Sequence, residues 1–208
     1  MMQIIGLTGS IATGKSTVAK WINELGIATY DADLVVHELL GPGGGAVAKV
    51  LTLLGSHFGC LAMGINRDLL GNEVFASPEK RKQLESLLHP MVRERRDAFI
   101  MWQRGQAALA VVLNVPLLFE TKADMICDFT IVVHASTETT ISRALARPGM
   151  TREKLSHILA AQMPTDDKIM RADLTLDSDL SKKETYSHLV NWFVKIGIPT
   201  PTVGHLKP

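Results

Sequence analysis

The chain has 208 residues, 46% apolar and 21% charged, and its 22 Lys and Arg against 21 Asp and Glu leave a formal net charge of +1. That length buries one sizeable core with room for an inserted subdomain, rather than two independent domains. The near-neutral balance offers nothing to a nucleic acid or a membrane surface, so no such partner is expected.

Met1 to Gly6 carries no basic leader and runs straight into a glycine motif, so a signal peptide is not expected. Ile4-Ile5-Gly6-Leu7 is a short apolar run, read as a first strand. Val18 to Leu25 has apolar residues at helical spacing, and Gly26 closes that helix as a C′ residue. Ile27 to Tyr30 makes a second strand that ends at Asp31. From about 36 to 106 no buried strand is evident. Helices are expected there over Ala46–Phe58, Arg67–Phe75 and Pro78–Gln103, entered through the joint Gly41-Pro42-Gly43-Gly44-Gly45. Asn66 suits the N-cap of the second, and Ser77 with Pro78 suits the N-cap and N1 of the third.

Leu109 to Leu113 and Phe129 to Val133 are continuous apolar runs, as expected of strands covered on both faces, and Leu174-Thr175-Leu176 supplies a fifth strand. A helical stretch from about Pro148 to Ala172 opens at Thr151-Arg152-Glu153 and is broken by Pro164. The tail after Ile198 holds three prolines and is expected to be loose. The longest apolar run, Ala107 to Phe119, is interrupted by Asn114 and Pro116 and is too short for a membrane span. Cys60 and Cys127 form no C-x-x-C pair, which suits a reducing, cytoplasmic location and gives no disulfide or zinc site. Strands alternating with helices predict an α/β fold with a doubly wound parallel sheet.

Gly9-Ser10-Ile11-Ala12-Thr13-Gly14-Lys15-Ser16 fits Gly-x-x-x-x-Gly-Lys-[Ser/Thr], with Thr17 next, between a strand and an amphipathic helix. Glycines let such a loop turn its amides onto phosphate oxygens, and the helix that follows aims its positive end at the same place. Lys15 would reach the β- and γ-phosphates and the Ser16 hydroxyl would ligate magnesium. A GTPase should carry Asn-Lys-x-Asp, which none of the five asparagines begins. A motor ATPase should end a core strand in an acidic pair, whereas the third and fourth strands end at Asn114 and His134. Small-molecule kinases remain, beside a protein that binds ATP without an acceptor. Asp31-Ala32-Asp33 follows the second strand, at the sheet edge where ligands of such folds bind. Asp31 suits a helix N-cap. Asp33 is either the carboxylate that orients an acceptor hydroxyl or a first-turn acid favoured by the helix dipole.

Across these and further motifs the sequence resembles the dephospho-CoA kinase family. The likeness includes Leu7-Thr8-Gly9 with the P-loop, Asp31-Ala32-Asp33, Phe58-Gly59, Asn66-Arg67, Val74-Phe75 and Leu87-Leu88-His89-Pro90. It continues through Pro116-Leu117-Leu118-Phe119-Glu120, Ala160-Ala161-Gln162-Met163-Pro164, Ala172-Asp173 and Asp177, in order from about residue 3 to 178. The resemblance implies transfer of the γ-phosphoryl group of ATP, with magnesium, to the ribose 3′-hydroxyl of dephospho-CoA, the last step of coenzyme A synthesis. Another P-loop kinase of a nucleotide or nucleoside is the alternative.

The same resemblance implies a nucleotide-binding core over 1–35 and 105–208, a helical substrate subdomain over 36–104 and a lid within about 147–172, in a monomer or weak homo-oligomer. Asp33 matches the family's proposed base. Gly9, Ala12, Thr13, Gly14, Lys15, Ser16 and Thr17 hold the nucleotide; Arg143 and Arg147 match family arginines at the lid. Arg67 and His89 fall on substrate-lobe positions, against the plainer reading of a surface arginine and a structural helix histidine. Glu120 either orients magnesium through water or caps a helix. The sequence departs from the commoner pattern at Ala12, a usual glycine that is tolerated if its φ is negative. Asn114 stands where many members carry Asp, and Arg147-Pro148-Gly149 replaces a commoner Arg-Asp.

Overall fold

The structure is a computed structural model that describes residues 1–200. Along the chain run β1 (Gln3–Gly9), α1 (Lys15–Glu24), β2 (Ala28–Asp31), α2 (Ala32–Leu40), α3 (Val47–Leu54), β3 (Gly59–Cys60), β4 (Gly64–Ile65) and α4 (Arg67–Ala76). They are followed by α5 (Pro78–Gly105), β5 (Ala110–Asn114), β6 (Phe129–His134), α6 (Thr137–Leu145), α7 (Arg152–Ala160), α8 (Thr165–Met170), β7 (Leu174–Asp177) and α9 (Lys182–Lys195). The chain divides into two compact units: Met1–Tyr30 with the chain from Gln103 onward, and Asp31–Trp102.

In the first unit a sheet has the order β2-β5-β1-β6-β7. β1 runs parallel to both β5 and β6, and β6 runs parallel to β7. Successive side chains on a strand face opposite ways, and here both faces are covered. Ile5, Leu7, Ile131 and Val133 pack with Val18 and Ile22 of α1 and with Leu189 and Phe193 of α9. Val132 instead packs with Leu118 and Phe119, against which Met163 and Ile169 also lie. This is why the strands are apolar throughout and not alternating. Burial of each such Leu, Ile or Phe contributes about 1.5–3 kcal/mol. The parallel registers place the carboxyl ends of β1, β5, β6 and β7 along one edge, and the loops leaving Gly9, Asn114, His134 and Asp177 meet there.

The second unit is built on Leu39, Leu40, Val47, Val50, Phe58, Ile65, Leu70 and Leu88. Asp31 caps α2 by accepting the Leu34 amide at 3.0 Å, and Asn66 caps α4 by accepting that of Leu69 at 3.1 Å. The Ser77 hydroxyl accepts the Lys80 amide at 3.3 Å at the start of α5. All three caps lie where the sequence places them. The helix expected over Ala46–Phe58 stops at Leu54 before Gly55, and its last residues form a short 3-10 turn, Ser56–Phe58. The hairpin of β3 and β4 was not anticipated, because strands of two residues carry no alternation to read. The tail expected to be loose after Ile198 lies, from 201 on, outside the described residues.

Candidate active site

Gly9 pairs with Val133 in β6, and a Cβ built on it would lie 2.5 Å from the Val133 carbonyl oxygen and 2.8 Å from Thr13 Oγ1. Only glycine lets the chain leave the sheet this closely. Thr13 is buried, and its amide and hydroxyl both donate to the Ser10 carbonyl, at 3.4 and 2.9 Å, which draws the loop into a tight turn. Gly14, at φ 87, then serves as the N-cap residue of α1. No side chain caps α1 and no acid lies in its first turn, so the positive end of the helix is open to an external anion.

Ala12 does not have the negative φ on which its tolerance was expected to rest. Its φ is 63, in the left-handed region, which costs an L-residue about 1–2 kcal/mol. Its methyl is buried in a small cluster with Ala144 and Leu155, and that burial returns about 0.8 kcal/mol.

Lys15 opens α1 and donates to Asn114 Oδ1 at 2.6 Å, so the residue that replaces the family's commoner Asp serves the P-loop lysine. Ser16 and Thr17 are exposed on the first turn of α1. Arg143, on α6, donates from Nη1 to Ser178 Oγ at 2.8 Å and from Nη2 to the Ser178 carbonyl at 3.0 Å. The Ser178 Cβ is also the atom nearest a Cβ built on Gly14, at 3.5 Å, so this pairing holds Arg143 beside the P-loop. Asp179 accepts the Ser136 amide at 2.8 Å, tying the loop after β7 to the start of α6. The amide and hydroxyl of Ser136 keep the Asp179 carboxyl below the ordinary Asp range. Arg147 is exposed just past the end of α6.

Glu120 has a different engagement from either that the sequence left open. Its Oε1 lies 3.0 Å from Nζ of Lys168, which is 0% exposed, and accepts the Met163 amide at 2.7 Å. The ammonium meets the carboxylate as an ion pair without an aligned hydrogen bond, and Glu120 Oε2 makes no hydrogen bond among the described residues. Nearby, Asp124 pairs with Arg171 at 2.7 Å, and the Arg171 guanidinium lies 4.3 Å from the centre of the Phe119 ring.

In the other unit, Asp33 is exposed on the first turn of α2, and His37 follows one turn later on the same face. Arg67, at the start of α4, is hydrogen-bonded through Nη1 to His37 Nδ1. His89 is exposed on α5, while Leu84, Leu87, Leu88 and Met91 of that helix pack into the unit's core. Sequence reasoning singled out neither His37 nor Ser178. The spacing of His37 from Asp33 was a signal for the first; nothing local marks the second.

The family profile described as Dephospho-CoA kinase matches residues 3–184. The chain belongs to the dephospho-CoA kinase family. It is 44% identical to the Dephospho-CoA kinase of Rhodospirillum rubrum over 180 residues, covering 86% of this chain and 85% of that one. Among solved structures, TT1252 from Thermus thermophilus superposes with a TM-score of 0.79 at 29% identity, over 94% of this chain and 98% of that one. The Dephospho-CoA kinase from Campylobacter jejuni does so at 0.69 and 25% identity, with the same coverage. The stretch matched by the dephospho-CoA kinase profile takes in every element from β1 to β7 and ends in the first turn of α9.

Proposed function

We infer that the chain phosphorylates the ribose 3′-hydroxyl of dephospho-CoA with ATP, giving coenzyme A and ADP. The observation that carries this is the P-loop of a dephospho-CoA kinase-family chain, joined to a helix whose start is left open for phosphate. In this reading the P-loop amides and Lys15 hold the triphosphate, and Arg143, with Arg147 beyond it, meets the charge that develops on the transferring group. Asp33 orients the 3′-hydroxyl and takes its proton. The oxygen then bonds to the γ-phosphorus as the bond to the β–γ bridging oxygen breaks and ADP leaves. The segment 36–104, most of which falls in the unit Asp31–Trp102, is the substrate lobe, where Arg67 binds acceptor phosphate and His89 lies on the exposed surface. The stretch 147–172 serves as a lid that excludes water.

Magnesium fits this site through Ser16. No cluster of three His, Cys, Asp or Glu able to hold a metal exists among the described residues, and Ser16 presents an exposed hydroxyl at the start of α1. One protein oxygen completed by phosphate oxygens and water is the arrangement magnesium favours. The ion would neutralise charge on the β- and γ-phosphates. No helix among the described residues is long and apolar enough to cross a membrane. Cys60 and Cys127 are free thiols, which supports a cytoplasmic setting.

The test is ADP release from Mg-ATP with dephospho-CoA or a panel of nucleotides and nucleosides as acceptor, for wild type and Asp33→Asn. Turnover with dephospho-CoA alone, reduced about 10²–10⁴-fold in kcat by Asp33→Asn, is the expected result. Turnover with another acceptor would overturn the substrate assignment. Full activity of the variant would remove Asp33 from the mechanism.

A further inference from the structure

The stretch Ala160-Ala161-Gln162-Met163-Pro164 lies within the lid proposed above, and it reaches the P-loop. Gln162 Oε1 accepts the Ile11 amide at 3.2 Å, although the two residues are 151 positions apart. Three residues on, the Thr165 hydroxyl lies 3.2 Å from that of Ser10. Both contacts fall on the leading residues of the loop. The Thr13 amide is committed to the Ser10 carbonyl, while the amides of Ala12 and Gly14 make no hydrogen bond among the described residues. Gln162 therefore fixes the edge of a loop whose Ala12 and Gly14 amides remain for a ligand.

The glutamine is itself held from behind. Glu120 binds the amide of the next residue, Met163, and pairs with the buried Lys168, while Asp124 and Arg171 join the same two segments further along. The residue type also suits the place. A carboxamide can accept an amide through its oxygen and still offer two N–H donors, where a carboxylate would accept equally well but repel a polyphosphate.

We propose that Gln162 is a positioning residue for the nucleotide, whose carboxamide holds Ile11 and so sets the path of Ser10–Gly14 around the β- and γ-phosphates. The proposal rests on the reading of this loop as a triphosphate site. Its test compares the full chain with Gln162→Leu and Gln162→Glu by initial-rate kinetics, thermal unfolding and amide exchange at Ile11. For Gln162→Leu the expected result is faster exchange at Ile11 and a KM for Mg-ATP raised about tenfold, with the KM for dephospho-CoA and the Tm unchanged. Gln162→Glu keeps Ile11 protected and still raises the KM for Mg-ATP, an effect that weakens with added salt.

An unchanged KM for Mg-ATP in either variant would overturn the proposal. So would a parallel rise of both KM values with a fall in Tm, the mark of a merely structural contact. If wild type fails to bind Mg-ATP in equilibrium dialysis, the triphosphate reading falls and the proposal falls with it.

Discussion

Glu120 and Lys168 offer a double-mutant cycle whose outcome follows from their surroundings. At 3.0 Å and an effective dielectric of about 20, their attraction is about 5.5 kcal/mol before desolvation is subtracted. Glu120→Gln keeps the shape and still accepts the Met163 amide, but strands an ammonium group with 0% exposure. Removing one partner of such a pair costs about 3–5 kcal/mol. Glu120→Gln should therefore lose about 3–5 kcal/mol at pH 7.

Lys168→Met should cost less, about 1–2 kcal/mol, because the Glu120 side chain is 18% exposed and retains its amide donor. The double variant should recover to within about 1 kcal/mol of wild type, since neither charge is left alone. Urea unfolding of the four proteins at pH 7 measures every corner. A loss below about 1 kcal/mol for Glu120→Gln, or a double variant as weak as Glu120→Gln, would refute the reasoning.

Two further predictions concern local geometry. Ala12→Gly relieves about 1–2 kcal/mol of left-handed strain but forfeits about 0.8 kcal/mol of methyl burial and about 0.5–1 kcal/mol through a freer unfolded chain. Its denaturation free energy should thus stay within about 1 kcal/mol of wild type; a loss above about 2 kcal/mol would show that packing, and not φ, governs this position. For Asp179 the folded carboxyl titrates below its unfolded value, so the stability it contributes is present above the unfolded value and lost as pH falls through the folded one. Asp179→Asn should lower Tm at pH 7 and converge with wild type as the pH falls through the folded value; a gap that persists in strong acid would sink this account.

The sheet was legible because a strand covered on both faces must be apolar at every position, as Val111, Val112 and Leu113 are. The P-loop and the caps at Asp31, Asn66 and Ser77 were legible because each rests on a few neighbouring residues whose chemistry is local. What escaped depends on partners remote in sequence. Lys168 follows two aspartates and has the look of a solvated helix residue, yet Glu120, 48 positions earlier, draws it into the interior. The φ of Ala12 is set by a closed loop and a packed methyl, neither of which a one-residue departure from glycine reveals. The bond between His37 and Arg67 needs α2 and α4 folded together before it exists.

The bare start of α1 also bears on how long the protein lasts. A helix end with no cap and no nearby acid is a local electrostatic fault in the resting chain, and a bound phosphate group mends it. Any ligand that binds only the folded form adds to stability by mass action, about 2.7 kcal/mol at a hundred times its dissociation constant. The nucleotide thus serves as a missing structural part as well as a reactant. When it runs short, the catalyst stops and, in the same event, becomes easier to unfold and degrade.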